Sequence, residues 1–460
     1  MTTLSIVGVL LVLTVIGFYM GRSRAVATVS GKTRNLHSLP GYYGYYVAVW
    51  CGIPSLLLLG LWLALEPLFI EKLLIAGLTE DARTLTPDRL GLMINDIRNL
   101  SRGDIVGRVV DPELRLAAEH YAGLKRTSLI ALSAAVIALA VAGLTYARFR
   151  IAPKLRARNV VEKVITAVMI ASSTIAILTT VGIVFSLVFE AGRFFTMVSP
   201  LEFLFGVEWS PQMALRADQV GASGRFGAIP LLAGTMLISF IAMCVAAPIG
   251  LLSAIYMAEY APSRVRATVK PLLEILAGIP TVVYGFFAAL TVAPLFREWG
   301  ESMGLTVASE SALAAGLVMG IMIIPFVSSL SDDVISAVPQ SMREGSYGLG
   351  ATKSETIRRV IFPAALPGIV GGLLLAVSRA IGETMIVVMA AGLAANLTAN
   401  PLQAVTTVTV QIVTLLIGDQ EFDSPKTLAA FALGLVLFCV TLVLNVIALH
   451  VVNKYREQYE

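Results

Sequence analysis

Charge is scarce in this chain: Lys, Arg, Asp and Glu make up 14% of its 460 residues, against roughly 25% in ordinary soluble domains. A soluble core could not hide the 57% that are hydrophobic, whereas lipid solvates them, so the composition points to a membrane protein. Histidine is equally sparse. His37, His120 and His450 lie far apart and suggest surface or interfacial positions rather than ligands. The three cysteines, Cys51, Cys244 and Cys439, sit inside apolar runs without paired spacing, which argues against a disulfide framework and against a zinc site. No metal and no cofactor is expected. A net charge of only +4 supplies no dense basic field, so no nucleic acid is expected as a partner.

What the chain has in quantity is long apolar runs. Crossing ~30 Å of hydrocarbon takes ~20 mostly apolar residues. Nine such runs lie near 3–20, 42–65, 127–147, 164–189, 228–256, 271–295, 311–330, 366–393 and 428–451. The expected fold is all-α, a polytopic transmembrane helical bundle of about nine spans surrounded by membrane lipid. The linker after the first run carries Arg22, Arg24, Lys32 and Arg34 and no acid. That after the third carries Arg148, Arg150, Lys154, Arg156, Arg158 and Lys163 against Glu162. Arg264, Arg266 and Lys270 follow the fifth, while intervening linkers are mixed or acidic, as at Asp419, Glu421 and Asp423. This alternation places the basic linkers in the cytoplasm. The amino terminus then faces outward, and the carboxyl terminus, with Lys454 and Arg456, faces the cytoplasm of a cell whose inner membrane holds the chain. The first run has uncharged residues before it and arginines after it, opposite to a secretory signal, and reads as a retained span.

The runs divide into two groups. Residues 164–460 hold six spans with short links; residues 1–163 add three spans and a long polar linker, about 66–126, whose ten acidic and nine basic side chains nearly cancel. Within it Thr86, Pro87 and Asp88 make a helix start, and Leu90, Met93, Ile94 and Ile97 follow at helical spacing. A small helical outer lobe with a packing role is expected there.

Two segments carry more than packing. The linker between the seventh and eighth runs, about 331–365, reads as a short helix, a glycine break at Gly350, a second amphipathic stretch and then Pro363 before the next span. Ile357, Val360 and Ile361 share one face, with Lys353, Arg358 and Arg359 elsewhere. Such an element lies along the membrane surface, either as an ordinary interfacial helix or as a knob offered to a partner. It is not a nucleotide site: a P-loop needs glycine immediately before its lysine, and Thr352 precedes Lys353 here. The chain is therefore not expected to be an enzyme.

The second segment is Ser378, Arg379, Gly382, Glu383, Thr384 and Met385 in the eighth run. A charge near mid-span costs ~2.5–3.5 kcal/mol on the insertion scale, so Arg379 must face the protein interior or a wet path. Glu383 is four residues on, one turn away on the same helix face. On the residues alone two readings stand: an ion pair locking helices, or a guanidinium kept ready for a passing oxyanion.

The linker also resembles a known family. Permeases of ABC importers, the binding-protein-dependent transport inner-membrane components, carry Glu-Ala-Ala, three residues, Gly, nine residues, Ile-x-Leu-Pro. This chain matches at Glu344, Gly350 and Pro363, with Gly345 and Ser346 for the alanines and Val360 and Phe362 for the apolar pair. The stretch from Arg379 to Met385 is similar to the phosphate-specific permeases of PstC type; the related PstA type shares the core but differs after it. Phe203 to Pro211, Ala258 to Pro262 and Leu276 to Gly285 extend the resemblance over about 164–460.

The resemblance implies a type I importer permease core that passes phosphate by Arg379 and Glu383, with Ser378 and Thr384 beside them. Glu344, Gly345, Ser346, Gly350 and Pro363 would form the coupling helix that docks on the ATPase. Implied partners are a second, PstA-type permease, a cytoplasmic PstB-type ATP-binding dimer and a periplasmic PstS-type phosphate-binding protein delivering near Trp209. Glu259 and Glu274 would serve packing or docking, Pro280 and Tyr284 would shape a helix, and Gln403 and Gln411 would add polar contacts. Two alternatives stay open: a permease for another oxyanion, and a membrane regulatory subunit of phosphate-starvation signalling.

Overall fold

The computed structural model describes residues 2–78, 87–102, 112–213, 223–417 and 424–455. They group into two units, 1–178 and 179–460, and the division falls inside one long helix.

In the first unit α1 (Thr3–Thr28), α2 (Pro40–Gly77) and α4 (Pro112–Phe149) pack on one another, and α5 (Ala157–Met197) begins. Ile6, Leu10, Tyr43, Val47, Leu132 and Val136 fill the space between them. The phenol of Tyr43 donates to the carbonyls of Pro153 at 3.2 Å and Leu155 at 3.1 Å, tying the turn after α4 back to α2. Helices α2 and α4 run on beyond their apolar stretches. Their ends, with α3 (Pro87–Arg102), enclose a small cluster of Ile70, Leu74, Ile94, Ile97, Leu114 and Tyr121. Helix α3 is described from Pro87 onward. Ile94 and Ile97 are buried, with Leu90 and Met93 packed beside them; Thr86 lies outside the described residues.

The second unit takes the rest of α5, the short α6 (Pro200–Phe205) and a strand pair, β1 (Trp209–Met213) and β2 (Ser223–Phe226). The strands are antiparallel with Trp209 opposite Phe226, a detail an all-helical reading leaves out. Then come α7 (Ile229–Ile255), a π turn at Tyr256–Tyr260, α8 (Ser263–Ala277), α9 (Thr281–Phe287), a π turn at Ala288–Val292 and α10 (Ala293–Ser302). Helix α11 (Ala312–Ser336) is the central element, packed by α7, α8, α14 and α15. Its neighbours meet it through Ala242, Ala246, Ala314, Ala315, Ala376 and Ala380, small side chains that let helices approach closely where lipid gives no hydrophobic drive. Beyond it lie α12 (Gln340–Gly348), α13 (Lys353–Thr356), a π turn at Ile357–Ile361, α14 (Phe362–Ile381), α15 (Met385–Ala390), α16 (Val408–Leu416) and α17 (Pro425–Tyr455).

Among the described residues eight helices are long and apolar enough to cross a membrane, and the count reaches nine if one bent pair is taken as a single span. That pair covers the sixth expected run, near 271–295. Ser263–Ala277 and Thr281–Ser302 meet at 86°, because Pro280 offers no N–H to continue α8 and restricts the residue before it. Tyr284 braces the bend by donating to the carbonyl of Leu276 at 2.8 Å.

The eighth span is corrected: helix α14 ends at Ile381, and α15 starts afresh at Met385. Pro363, expected to precede a separate span, instead falls in the first turn of α14. The π turn just before it widens the hydrogen-bond ladder where the proline has no N–H, so one rod runs from Lys353 to Ile381.

Residues 391–407 have no regular secondary structure yet are folded inward. The carbonyls of Ala390, Leu402, Gln403 and Pro401 accept from the N–H groups of Ser311 (3.0 Å), Ala308 (3.0 Å), Ala312 (3.1 Å) and Leu313 (2.8 Å). They thus cap the start of α11, whose first N–H groups have no partner within the helix. Irregular backbone at membrane depth is tolerated when protein buries it. Gly234 makes the approach possible, since a Cβ there would lie 2.2 Å from the carbonyl oxygen of Thr406.

Candidate functional site: a surface loop and a charged cavity

The loop after α11 is held from one side and open on the other. Ile335, Val338, Ile357, Ile361, Ala365 and Ile369 form the apolar floor beneath it. Above that floor Arg343 of α12 turns inward, its side chain 13% exposed, to meet Glu259 of the Tyr256–Tyr260 π turn, 7% exposed. The guanidinium donates to Glu259 Oε1 at 3.1 Å and 3.3 Å and to the Ile335 carbonyl at 2.8 Å, and it also reaches the Val338 carbonyl. Ser346, one of the expected coupling residues, is buried with its hydroxyl 2.8 Å from that of Thr356, joining α12 to α13.

Between them Gly350 has φ +83°, a left-handed geometry that glycine adopts freely and a Cβ opposes. Thr352 and Glu355 then start α13 with reciprocal bonds, the Thr352 N–H donating to the carboxylate at 2.9 Å and the Glu355 N–H to the hydroxyl at 3.3 Å.

The outward side carries Glu344, Gly345, Tyr347 and Leu349, all exposed, Leu349 to 91%. A Cβ on Gly345 would meet nothing within 4 Å. Its smallness therefore serves no close packing inside this chain. Pro363 is exposed as well.

Arg379 lies in the last turn of α14. The helix ends two residues later, and Glu383 turns away to accept from the N–H of Met385 at 3.0 Å and of Ile386 at 3.5 Å, capping α15. The expected one-turn pairing of Arg379 with Glu383 is thus absent among the described residues. The carboxylate instead satisfies N–H groups that a new helix start leaves open. Ser378 donates to Asn445 of α17 at 3.2 Å, a helix-to-helix tie. Thr384 sits in the break, its hydroxyl 3.5 Å from the Gly382 carbonyl.

The guanidinium of Arg379 is exposed on a cavity wall, with its Cζ 5.5 Å from the ring centroid of Phe326, a cation–π contact. Among the described residues it forms no ion pair. The cavity, about 270 Å³, lies between α8, α11 and the end of α14, and Lys270, Glu274, Ser328, Ser329 and Asp332 also line it. Asp332, 1% exposed, takes both Arg266 (3.0 Å to each oxygen) and Lys270 (2.9 Å). A larger groove of about 400 Å³ in the first unit is almost wholly apolar; its Glu66 is paired with Lys125 at 3.1 Å.

Gln411 is no free polar contact. It is buried, accepts from the Trp209 indole N–H at 3.0 Å and donates toward the Leu393 carbonyl and Thr406 hydroxyl at 3.3 Å. Gln403 is exposed. Sequence reasoning passed over Arg343 and Asp332. Asp332 could have been noticed by the same rule that singled out Arg379, an ionisable residue in an apolar helix. Arg343 lies 84 positions from its partner and gave no local signal.

Two family profiles match the chain. One described as a phosphate ATP-binding cassette transporter covers residues 7–179, and one described as a binding-protein-dependent transport system inner membrane component covers 246–457. The probable ABC transporter permease protein YqgH of Bacillus subtilis is 35% identical over 53% of this chain and 75% of its own length. The phosphate transport system permease protein PstC of Mesorhizobium japonicum is 32% identical over 55% and 78%, and that of Pasteurella multocida 33% over 56% and 81%. Among solved structures, an inward-facing MetNI methionine ABC transporter gives a TM-score of 0.37 at 18% identity over 50% of this chain and 95% of that one.

Proposed function

The chain belongs to the PstC-type permeases of the binding-protein-dependent transport family, and on that premise we propose that it is the membrane subunit of an ATP-driven phosphate importer. Residues 164–460 are its permease core, and the three spans of 1–163 an addition to it. The basic linkers orient the chain with its amino terminus outward and the docking loop in the cytoplasm. A periplasmic phosphate-binding protein of PstS type delivers the cargo. A second permease of PstA type completes the path, and a PstB-type ATP-binding dimer grips Glu344, Gly345, Tyr347 and Leu349.

The observation that carries this reading is the unpaired guanidinium of Arg379 on the wall of a charged cavity. A planar fork with free donors suits a tetrahedral oxyanion, and Glu383 contributes by fixing the start of α15 beside it. ATP-driven closure moves the docking loop. Arg343 and Glu259 pass that motion to the π turn at the end of α7, and from there to the packed helices around α11. Radiolabelled phosphate uptake in cells whose own phosphate importers are deleted tests the proposal. Uptake that needs this chain and an intact ATP-binding subunit is the expected result; uptake unchanged without the chain would refute it.

A further inference from the structure

One polar group on the cavity wall has no use in the transport reading as stated. Ser328 is 0% exposed, and its hydroxyl has no hydrogen-bond partner among the described residues. Helical hydroxyls elsewhere in this chain close on the carbonyl one turn back, as Thr235 does on Leu231 at 2.7 Å and Ser55 on Cys51 at 2.8 Å. Ser328 does not, and a buried donor left open is destabilising unless something in the cavity meets it.

Its neighbours on the wall define the chemistry of that guest. Arg379 has free donors. Lys270 has three N–H bonds to give and is engaged by Asp332 at 2.9 Å, with Asp333 further off at 3.6 Å. Asp332 receives three contacts, one on Oδ1 and two on Oδ2, while a carboxylate can accept about four. The wall thus offers several donors and acceptors on two carboxylates, a spare one on the buried Asp332 and those of the exposed Glu274. An oxyanion that still carries a proton matches that set. A fully deprotonated oxyanion has nothing to give the carboxylate and is repelled by it.

Resting on the transport reading above, we propose that this cavity is a resting station for hydrogen phosphate. Ser328 and Lys270 are ligands beside Arg379, and Asp332 selects a protonated oxyanion over sulfate.

The test uses the importer assembled with its partner subunits in lipid vesicles. Cys51, Cys244 and Cys439 are replaced by alanine and Ser328→Cys is introduced. The rate of thiol alkylation by a small reagent is then measured with inorganic phosphate or sulfate present. Phosphate at saturation should slow alkylation at least about tenfold and sulfate should not, since a site built around one hydrogen bond discriminates strongly against an analogue lacking it. In the otherwise native importer Ser328→Ala should raise the half-saturating phosphate concentration by about three- to tenfold, the loss of one hydrogen bond. Asp332→Asn, which keeps an acceptor but removes the charge, should let sulfate protect the thiol when it is combined with Ser328→Cys.

No protection by phosphate in vesicles that still transport it would overturn the station and leave the transport reading standing. A cysteine that never reacts, or equal protection by both anions, would overturn it as well. If Ser328→Cys fails to assemble, Ser329→Cys on the same wall gives the same readout. Loss of phosphate transport by the unsubstituted importer would instead refute the transport reading.

Discussion

Replacing Glu259 by alanine tests whether the docking loop is anchored as described. In the structure this carboxylate and Arg343 are 7% and 13% exposed, and Arg343 makes two of its four bonds to Glu259. Removing one partner of a buried pair ordinarily costs about 3–5 kcal/mol, because the survivor is left charged and unpaired. Here the guanidinium keeps the carbonyls of Ile335 and Val338, so the expected cost is smaller, about 2–3 kcal/mol. At ~1.4 kcal/mol per factor of ten, the seated loop loses roughly 30- to 150-fold against the unseated one.

The assay is denaturant unfolding of the detergent-solubilised chain, paired with ATP hydrolysis by the assembled importer. A double-mutant cycle with Arg343→Met isolates the pair: coupling above about 1.5 kcal/mol is expected. Glu355→Ala, which removes an exposed cap, is the control and should cost about 0.5–1 kcal/mol. If the two single variants add within about 0.5 kcal/mol, the pair does not hold the loop and the route from loop to π turn is wrong.

Three further outcomes follow from neighbouring contacts. Gly350→Ala forces a Cβ into a φ of +83° and should lower stability by about 1–2 kcal/mol, read as a lower unfolding midpoint. A Cβ at Gly345 meets nothing within 4 Å and the position is exposed, so Gly345→Leu should change the isolated chain by less than about 0.5 kcal/mol while pull-down of the ATP-binding subunit falls sharply; normal pull-down would remove Gly345 from the docking face. Gln411→Leu strands the buried indole N–H of Trp209 and should cost about 1–3 kcal/mol, visible in thermal unfolding followed by tryptophan fluorescence.

Apolar length was legible from the residues because lipid demands it: the runs near 3–20, 228–256, 311–330 and 428–451 match helices Thr3–Thr28, Ile229–Tyr260, Ala312–Ser336 and Pro425–Lys454, two of them overhanging the helix start by one residue. Apolarity does not report continuity, however. The breaks at Gly278–Pro280 and Gly382–Thr384 sit inside runs that hydropathy treats as single spans. Pro280 announced the first; the second depends on Glu383 preferring two N–H groups of the next helix to the guanidinium one turn back.

The loop was readable because Gly350 has a local backbone requirement and Glu344 and Gly345 are free to serve a partner. What fixes the loop was not readable. Arg343 with Glu259, and Ser346 with Thr356, are tertiary contacts that neither periodicity nor composition encodes. The cavity is similar. Arg379 stood out by its cost in an apolar run, but its companions Lys270, Ser328 and Asp332 come from two other helices.

The central claim is that a negatively charged cargo passes the guanidinium of Arg379. ATP-dependent phosphate uptake into vesicles holding the assembled importer, with Arg379→Gln beside the native side chain, addresses it directly. Assembly and basal ATP hydrolysis should survive while uptake falls by at least about a hundredfold, the loss of a charge-assisted contact worth ~3 kcal/mol. Uptake at the native rate in Arg379→Gln vesicles would contradict the account.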